Sequence, residues 1–167
     1  NAGQSAISVR GTVKNIAQPE LDLAVVADIA LDEIDRLAQI EQNLTGRAHF
    51  DGAVAGRLAE ITASGRLDCP KGTAWKLAFA ELGVNARYAE NQLALSDLTV
   101  ALWDGRASGA AQLSFADGFG YAADLTLENV NVAHVNSILD SPLDLAGPVS
   151  GSVKVQAKSV DFPDLDL

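Results

Sequence analysis

The residues of this chain that could carry out chemistry are few and widely spaced. One glycine pattern, GFGYAA at residues 118–123, formally matches the Gly-x-Gly-x-x-Ala loop that holds a dinucleotide. That loop needs a helix after it, whereas the residues that follow, DLTLENV, alternate as a strand does. GRASG and GPVSG have serine at the fourth position, so neither is the Gly-x-Ser-x-Gly elbow of a hydrolase. The sequence predicts no nucleotide loop, no serine nucleophile and no cofactor.

Metal ligation and acid–base catalysis have equally little support. His49 and His134 have no cysteine nearby, and Cys69 is the single cysteine of the chain. We expect both histidines to be solvated or hydrogen-bonded, and Cys69 to be a buried thiol. The carboxylates alternate along predicted strands, where they keep one face soluble. We therefore predict no catalytic residues and no metal site, and a protein that is not an enzyme.

The charge of the chain excludes a second group of functions. It has 22 acidic and 12 basic residues, which give a net charge of -10. A surface of this sign repels nucleic acid and anionic head groups. No apolar run is long enough to span a membrane, and residues 1–30 lack the plan of a signal peptide. We predict no nucleic-acid partner, and membrane contact only through regions outside this segment.

Alternation of apolar and polar residues is the dominant pattern, and it predicts strands with one apolar face. Between residues 21 and 31 every odd position is apolar, with Asp22 and Asp28 among the even ones. The pattern indicates about ten to twelve strands in all. The clearest are 7–13, 21–31, 60–67, 98–103, 111–115 and 149–157.

Three Asp-Gly pairs locate turns. Those at 104–105 and 117–118 predict two-residue type I′ hairpins, because both loop residues need a positive φ. The stretches LALSDLTVALW, RASGAAQLSFA and FGYAADLTLENV should then form an antiparallel meander. The pair at 51–52 lies inside an apparent strand and predicts a bulge.

Two stretches have the spacing of short helices, LDEIDRLAQI at 31–40 and VAHVNSIL at 132–139. An offset of 101 residues places the first helix on the second and Gly46 on Gly147. We interpret residues 29–56 and 130–157 as a repeat. Repeats in a β protein favour a quasi-one-dimensional stack, so residues 1–167 are predicted to be a fragment of a longer repetitive β-groove protein.

The apolar face of these strands must be covered or enclosed, by a closed barrel, a two-sheet sandwich or a curled trough. Sparse aromatic residues (5%) and recurrent glycines favour the trough. The predicted fold class is all-β with two short helices: a long, curved, mainly antiparallel sheet of the β-taco or repeating β-groove type, with an apolar concave face. The predicted groove-lining residues, which are the candidate lipid contacts, are Val25, Ile29, Ile61, Leu98, Val100, Leu113, Phe115, Leu125, Leu127, Val149, Val153 and Val155.

The pattern resembles the AsmA-like superfamily of Gram-negative envelope proteins, which includes the TamB subunit of the translocation and assembly module. The resemblance is carried by LTGRAHFDGAVAGRLAEITASGRL, LALSDLTVALWDGRASGAAQLSF and YAADLTLENVNVAHVNSILDSPLDLAGPVSGSV. These stretches show a strand, a short helix, Leu-x-Gly and a further strand, as that superfamily does.

The resemblance implies a periplasmic bridge whose groove shields phospholipid acyl chains and supports inter-membrane lipid transport and outer-membrane biogenesis. The parent protein would be anchored in the inner membrane of a Gram-negative bacterium. An outer-membrane β-barrel assembly protein is a further implied partner. The alternative is a chaperone-like module that assists outer-membrane protein assembly by β-strand augmentation.

Overall fold

The described part of the chain forms one sheet of nine consecutive antiparallel strands. The structure is a computed structural model, and it describes residues 5–15, 17–33, 43–58, 60–74, 77–115, 120–137 and 146–157. Each strand pairs with the next along the chain, so the order across the sheet is the order in the sequence. The strands are β1 (Ala6–Lys14), β2 (Glu20–Ala30), β3 (Thr45–Arg57), β4 (Thr62–Ala74), β5 (Leu77–Ala89), β6 (Gln92–Leu102), β7 (Gly105–Ser114), β8 (Gly120–Asn131) and β9 (Pro148–Ala157).

The sheet is open and curled, with β1 and β9 at its two edges. A closed barrel would require these edges to pair, and a sandwich would require a second sheet; the described residues contain neither arrangement. The all-β class and the antiparallel curved sheet are confirmed. Nine strands lie within the described residues, where ten to twelve were predicted for the whole chain, and β3, β4 and β5 have 13 residues each.

The meander of β6, β7 and β8 is confirmed, but its first turn is not Asp-Gly. The β6–β7 loop consists of Trp103 and Asp104, which have φ values of 50° and 63°, and Gly105 begins β7. Glycine is required at position 105 by strand packing and not by the turn, because a Cβ there would lie 2.5 Å from the carbonyl oxygen of Glu128 on β8. The pair at 117–118 lies outside the described residues.

The bulge predicted at Asp51-Gly52 is wrong. Both residues lie in a regularly paired part of β3, where Gly52 is opposite Gly65 of β4. The glycines instead make room for Phe50: a Cβ at Gly52 or Gly65 would lie 2.6 or 2.5 Å from the Cζ atom of its ring. An aromatic ring resting on paired glycines is a known device in sheets.

The two predicted helices are described only in part. Residues 31–33 are helical, and the remainder of 31–40 lies outside the described residues. The second is a 3-10 helix, Val132–Ser137, and residues 138–139 lie outside the described part. Its first turn is fixed by Ala133, whose N–H donates to the side-chain oxygen of Asn131 (3.1 Å). The ring of His134 stacks on Trp103, with ring centroids 5.9 Å apart.

Candidate functional site

Strand register places most of the predicted groove residues on one face of the sheet. We call the face that carries Val25, Leu113 and Val153 face A, and the opposite face, which carries Asp28 and Arg66, face B. Ten of the twelve predicted residues belong to face A by pairing or by alternation along their strand. These ten are Val25, Ile29, Leu98, Val100, Leu113, Leu125, Leu127, Val149, Val153 and Val155.

The other two predicted residues lie outside the strands. Ile61 lies in the β3–β4 connection, one residue before β4, and lines a depression of about 670 Å³ beside the β5–β6 turn. Phe115 follows the end of β7 and is 49% exposed, and its N–H donates to the carbonyl oxygen of Asn91 (2.8 Å). Both residues therefore lie at the ends of strands, away from the middle of face A.

Two rows of directly paired residues cross face A from edge to edge without a charged side chain. The first row is Val9, Val25, Gly52, Gly65, Ala86, Leu95, Ala111, Ala123 and Val155. The second is Gly11, Leu23, Val54, Ala63, Tyr88, Leu93, Leu113, Tyr121 and Ala157. With strands about 4.8 Å apart, each row spans about 40 Å.

Face A is only partly buried. The fully buried apolar residues of the described part are small or medium-sized, and all but Ala30 lie on face A: Ala27, Ala48, Cys69, Val84, Ala107 and Val130. Toward the β9 edge, Val149, Val153 and Val155 are each 42% exposed. Among the described residues no second layer packs over the sheet, so many aliphatic side chains of face A remain partly exposed to water.

Face B holds the ion pairs of the described part. Lys154 Nζ lies 2.6 Å from Asp124 Oδ2, and Arg106 Nη2 lies 3.0 Å from Glu81 Oε2. Arg66 pairs with Asp68 on the same strand at 2.9 Å. These pairs are about half exposed or more, so they contribute little to stability and instead keep face B wetted.

A second depression, of about 720 Å³, crosses strands β6 to β9. Most of its lining residues project from face B, with alanines at 94, 110 and 122, and Val155 alone belongs to the predicted groove set. The concave apolar groove therefore stays a prediction. What the structure brings together is a set of apolar residues that share one face.

The residues considered for chemistry form no reactive cluster in the described part. No group of three or more histidine, cysteine or acidic side chains is placed to hold a metal ion among these residues. Cys69 is 1% exposed, as expected for a buried thiol, and burial raises its pKa above the ordinary value of 9.0. A thiol with a raised pKa is a poor nucleophile at neutral pH.

His49 and Asp28 form a hydrogen-bonded pair on face B, with His49 Nδ1 2.9 Å from Asp28 Oδ1. This bond and the charge of Asp28 raise the pKa of His49 above its ordinary value of 6.5. A raised folded-state pKa means that the stabilisation is present below about pH 6.5 and is lost as the pH rises through the higher value. We expect Asp28→Asn to return the pKa of His49 toward 6.5, measured by NMR titration of the imidazole.

A matched control for this titration is Asp22→Asn, on the same face of the same strand. Asp22 has no hydrogen bond to His49 and lies opposite Ala55 of β3. It should leave the His49 titration close to that of the wild type. An unchanged pKa in Asp28→Asn would show that the pair does not form in solution.

The sequence did not lead us to predict Leu93 and Leu95, the β6 residues of the two rows on face A. Leu93 and Leu95 were not included because the alternation in LALSDLTVAL breaks at Ser96-Asp97. The break is a β-bulge at which Asp97 has φ 51°, so the apolar residues on both sides of it share face A. A phase change of one residue within an otherwise alternating strand is the signal that could have found them.

In comparisons with known proteins, the chain matches no family model, no curated protein and no solved structure. No helix within the described residues has the length and apolarity needed to cross a membrane. The resemblance to the AsmA-like superfamily stays an expectation from the sequence pattern.

Proposed function

We propose that this chain is a segment of a periplasmic bridge that shields phospholipid acyl chains against face A. The observation that carries the proposal is the pair of uncharged rows that run from β1 to β9 and remain partly exposed. Each acyl methylene removed from water gains about 0.8 kcal/mol, so a lipid can bind without any polar anchor. The absence of charge along about 40 Å favours movement of the chain along the face rather than fixed binding.

The periplasmic setting and the role in inter-membrane transport and outer-membrane biogenesis rest on the resemblance to the AsmA-like superfamily. The structural features that support it are the strand, the helical turn and the glycine before the next strand. These recur where β8 leads through Val132–Ser137 and Gly147 into β9. In that connection the N–H of Val132 donates to the carbonyl oxygen of Gly147 (3.1 Å).

Photocrosslinking from single positions tests the lipid proposal. A photoreactive amino acid is placed at Leu113 or Val153 on face A, and at Gln112 or Ser152, their neighbours on face B. Each protein is irradiated with vesicles of labelled phosphatidylethanolamine and phosphatidylglycerol. We expect lipid adducts from the face A positions and few from the face B positions. Adducts from both faces equally, or with protein alone, would overturn the proposal.

A second candidate function is a chaperone-like module that accepts a strand of another protein by augmentation. The observation that favours it is the open edge: β1 pairs only with β2 among the described strands, and all nine of its residues are exposed. An unpaired edge presents a row of backbone donors and acceptors to any extended segment. This candidate uses the edge of the sheet, whereas lipid shielding uses its face.

A further inference from the structure

The free edge of β1 differs in charge from the rest of the chain. Although the net charge is -10, β1 contains Arg10 and Lys14 and no acidic residue. Within the described residues neither cation belongs to an ion pair. Both lie on face B, while Ile7, Val9 and Val13 lie on face A and are 68%, 53% and 57% exposed. The edge thus presents cations on one side and apolar side chains on the other.

The opposite edge is less suited to accept a strand. In β9 the one cation, Lys154, already pairs with Asp124 at 2.6 Å. The strand begins with Pro148, which has no backbone N–H to donate to a new neighbour. Of the two edge strands, β1 therefore has the cations that belong to no ion pair among the described residues, and it has the fuller set of backbone N–H donors.

We propose that β1 accepts, along its free edge, an extended peptide that alternates apolar and acidic residues. The apolar residues of the peptide would continue face A beside Ile7, Val9 and Val13, and its carboxylates would face Arg10 and Lys14 on face B. Opposite charges in cross-strand positions attract, and like charges directly opposite repel. The inference deepens the second candidate function and rests on it, by assigning the chemical class of the incoming strand.

Charge argues against a second copy of the chain on this edge. Two β1 strands paired edge to edge would bring four cations together with no acidic residue, and β1 beside β9 would again combine two basic strands. The chain itself shows the favoured pattern, because β2, the existing neighbour of β1, has Glu20 opposite Lys14 and Asp22 opposite Thr12.

The test uses the full chain and a fluorescent peptide of the β2 sequence, ELDLAVVADIA. The control peptide, KLKLAVVAKIA, has lysine at the three acidic positions. We expect the acidic peptide to bind about tenfold more tightly than the lysine peptide by fluorescence anisotropy, and more weakly in high salt. In hydrogen exchange, the amides of β1 should become protected.

Paired variants locate the site. Arg10→Glu with Lys14→Glu should weaken binding of the acidic peptide about tenfold. Arg57→Glu with Arg87→Glu makes the same change in net charge on inner strands and should have less than about a twofold effect. Circular dichroism checks that both variants keep the sheet.

Four results would overturn the inference. Equal binding of both peptides would remove the acidic preference while leaving strand augmentation intact. Protection of β9 rather than β1, or faster exchange in residues 20–30, would indicate another edge or displacement of β2. Binding of neither peptide would overturn the second candidate function as well, and lipid crosslinking from face A would be unaffected by any of these results.

Discussion

Replacement of Leu127 by aspartate is expected to abolish lipid binding while the sheet stays folded. Leu127 lies on face A between Ala107 of β7 and Gly151 of β9, and it is half-buried. A carboxylate there would have to lose its water when an acyl chain covers it, which costs several kcal/mol. We therefore expect phospholipid binding to fall by about 100-fold or more, measured with a fluorescent phospholipid.

The folding result is as informative as the binding result. Since no described element covers Leu127, the aspartate can remain hydrated in the lipid-free protein, and we expect a loss of only about 1–2 kcal/mol in the free energy of unfolding. Thr126→Asp puts the same charge on the neighbouring exposed residue of face B and should leave lipid binding unchanged. If Leu127→Asp unfolds the protein, face A is a packed core; if it binds lipid normally, lipid lies elsewhere.

The regular strands of this fold are predictable from the alternation of apolar and polar residues. In β2 the odd positions Leu21 to Ile29 all belong to face A. Side chains alternate between the two faces of a strand, so once one apolar residue is assigned to a face, the faces of all the others follow. The same reasoning placed ten of the twelve predicted site residues on one face. The two exceptions, Ile61 and Phe115, lie just beyond strand ends, where alternation continues in the sequence after the pairing has stopped.

Positions where the backbone departs from regular pairing were harder to predict than the regular strands. The β4 sequence includes Pro70, which cannot donate to a ladder and reads as the end of a strand. The strand nevertheless continues through Pro70, and Glu81 of the adjacent strand β5 has φ 52° at an irregularity in the pairing of β5 with β6. Asp97 and Asn129 likewise have positive φ at bulges. None of these residues is glycine, the residue type on which the turn predictions relied.

The type I′ turns show the same division between local and tertiary causes. Glu90-Asn91 and Trp103-Asp104 both adopt positive φ without glycine. The Asp-Gly rule therefore missed the β5–β6 turn and placed the β6–β7 turn one residue too late. Asparagine and aspartate tolerate positive φ, so the residue types at the second loop position, Asn91 and Asp104, were compatible with both turns. The positive φ of the first loop residue, Glu90 or Trp103, is attributed to the pairing of the long strands on either side of the turn.

Replacement of Gly109 by alanine is expected to cause a large loss of stability for the addition of a single methyl group. Gly109 lies in the centre of β7, between Leu98 and Leu125, with φ 152°. A Cβ there would overlap the backbone carbonyl oxygen of Asp124 and approach the Cα of Leu125 to 3.0 Å. Because backbone atoms of a paired strand cannot move aside as a side chain can, β7 and β8 must separate locally. We expect a loss of about 3 kcal/mol in the free energy of unfolding.

Gly151→Ala is the matched control for Gly109→Ala. Gly151 lies on face A of β9, and a Cβ built there has no atom within 4 Å. The same added methyl group should change the free energy of unfolding by less than about 0.5 kcal/mol. Urea denaturation followed by circular dichroism measures both variants. Equal stabilities would mean that β7 and β8 do not approach as closely as described, and the register that aligns Leu98, Leu125 and Val153 across face A would lose its support.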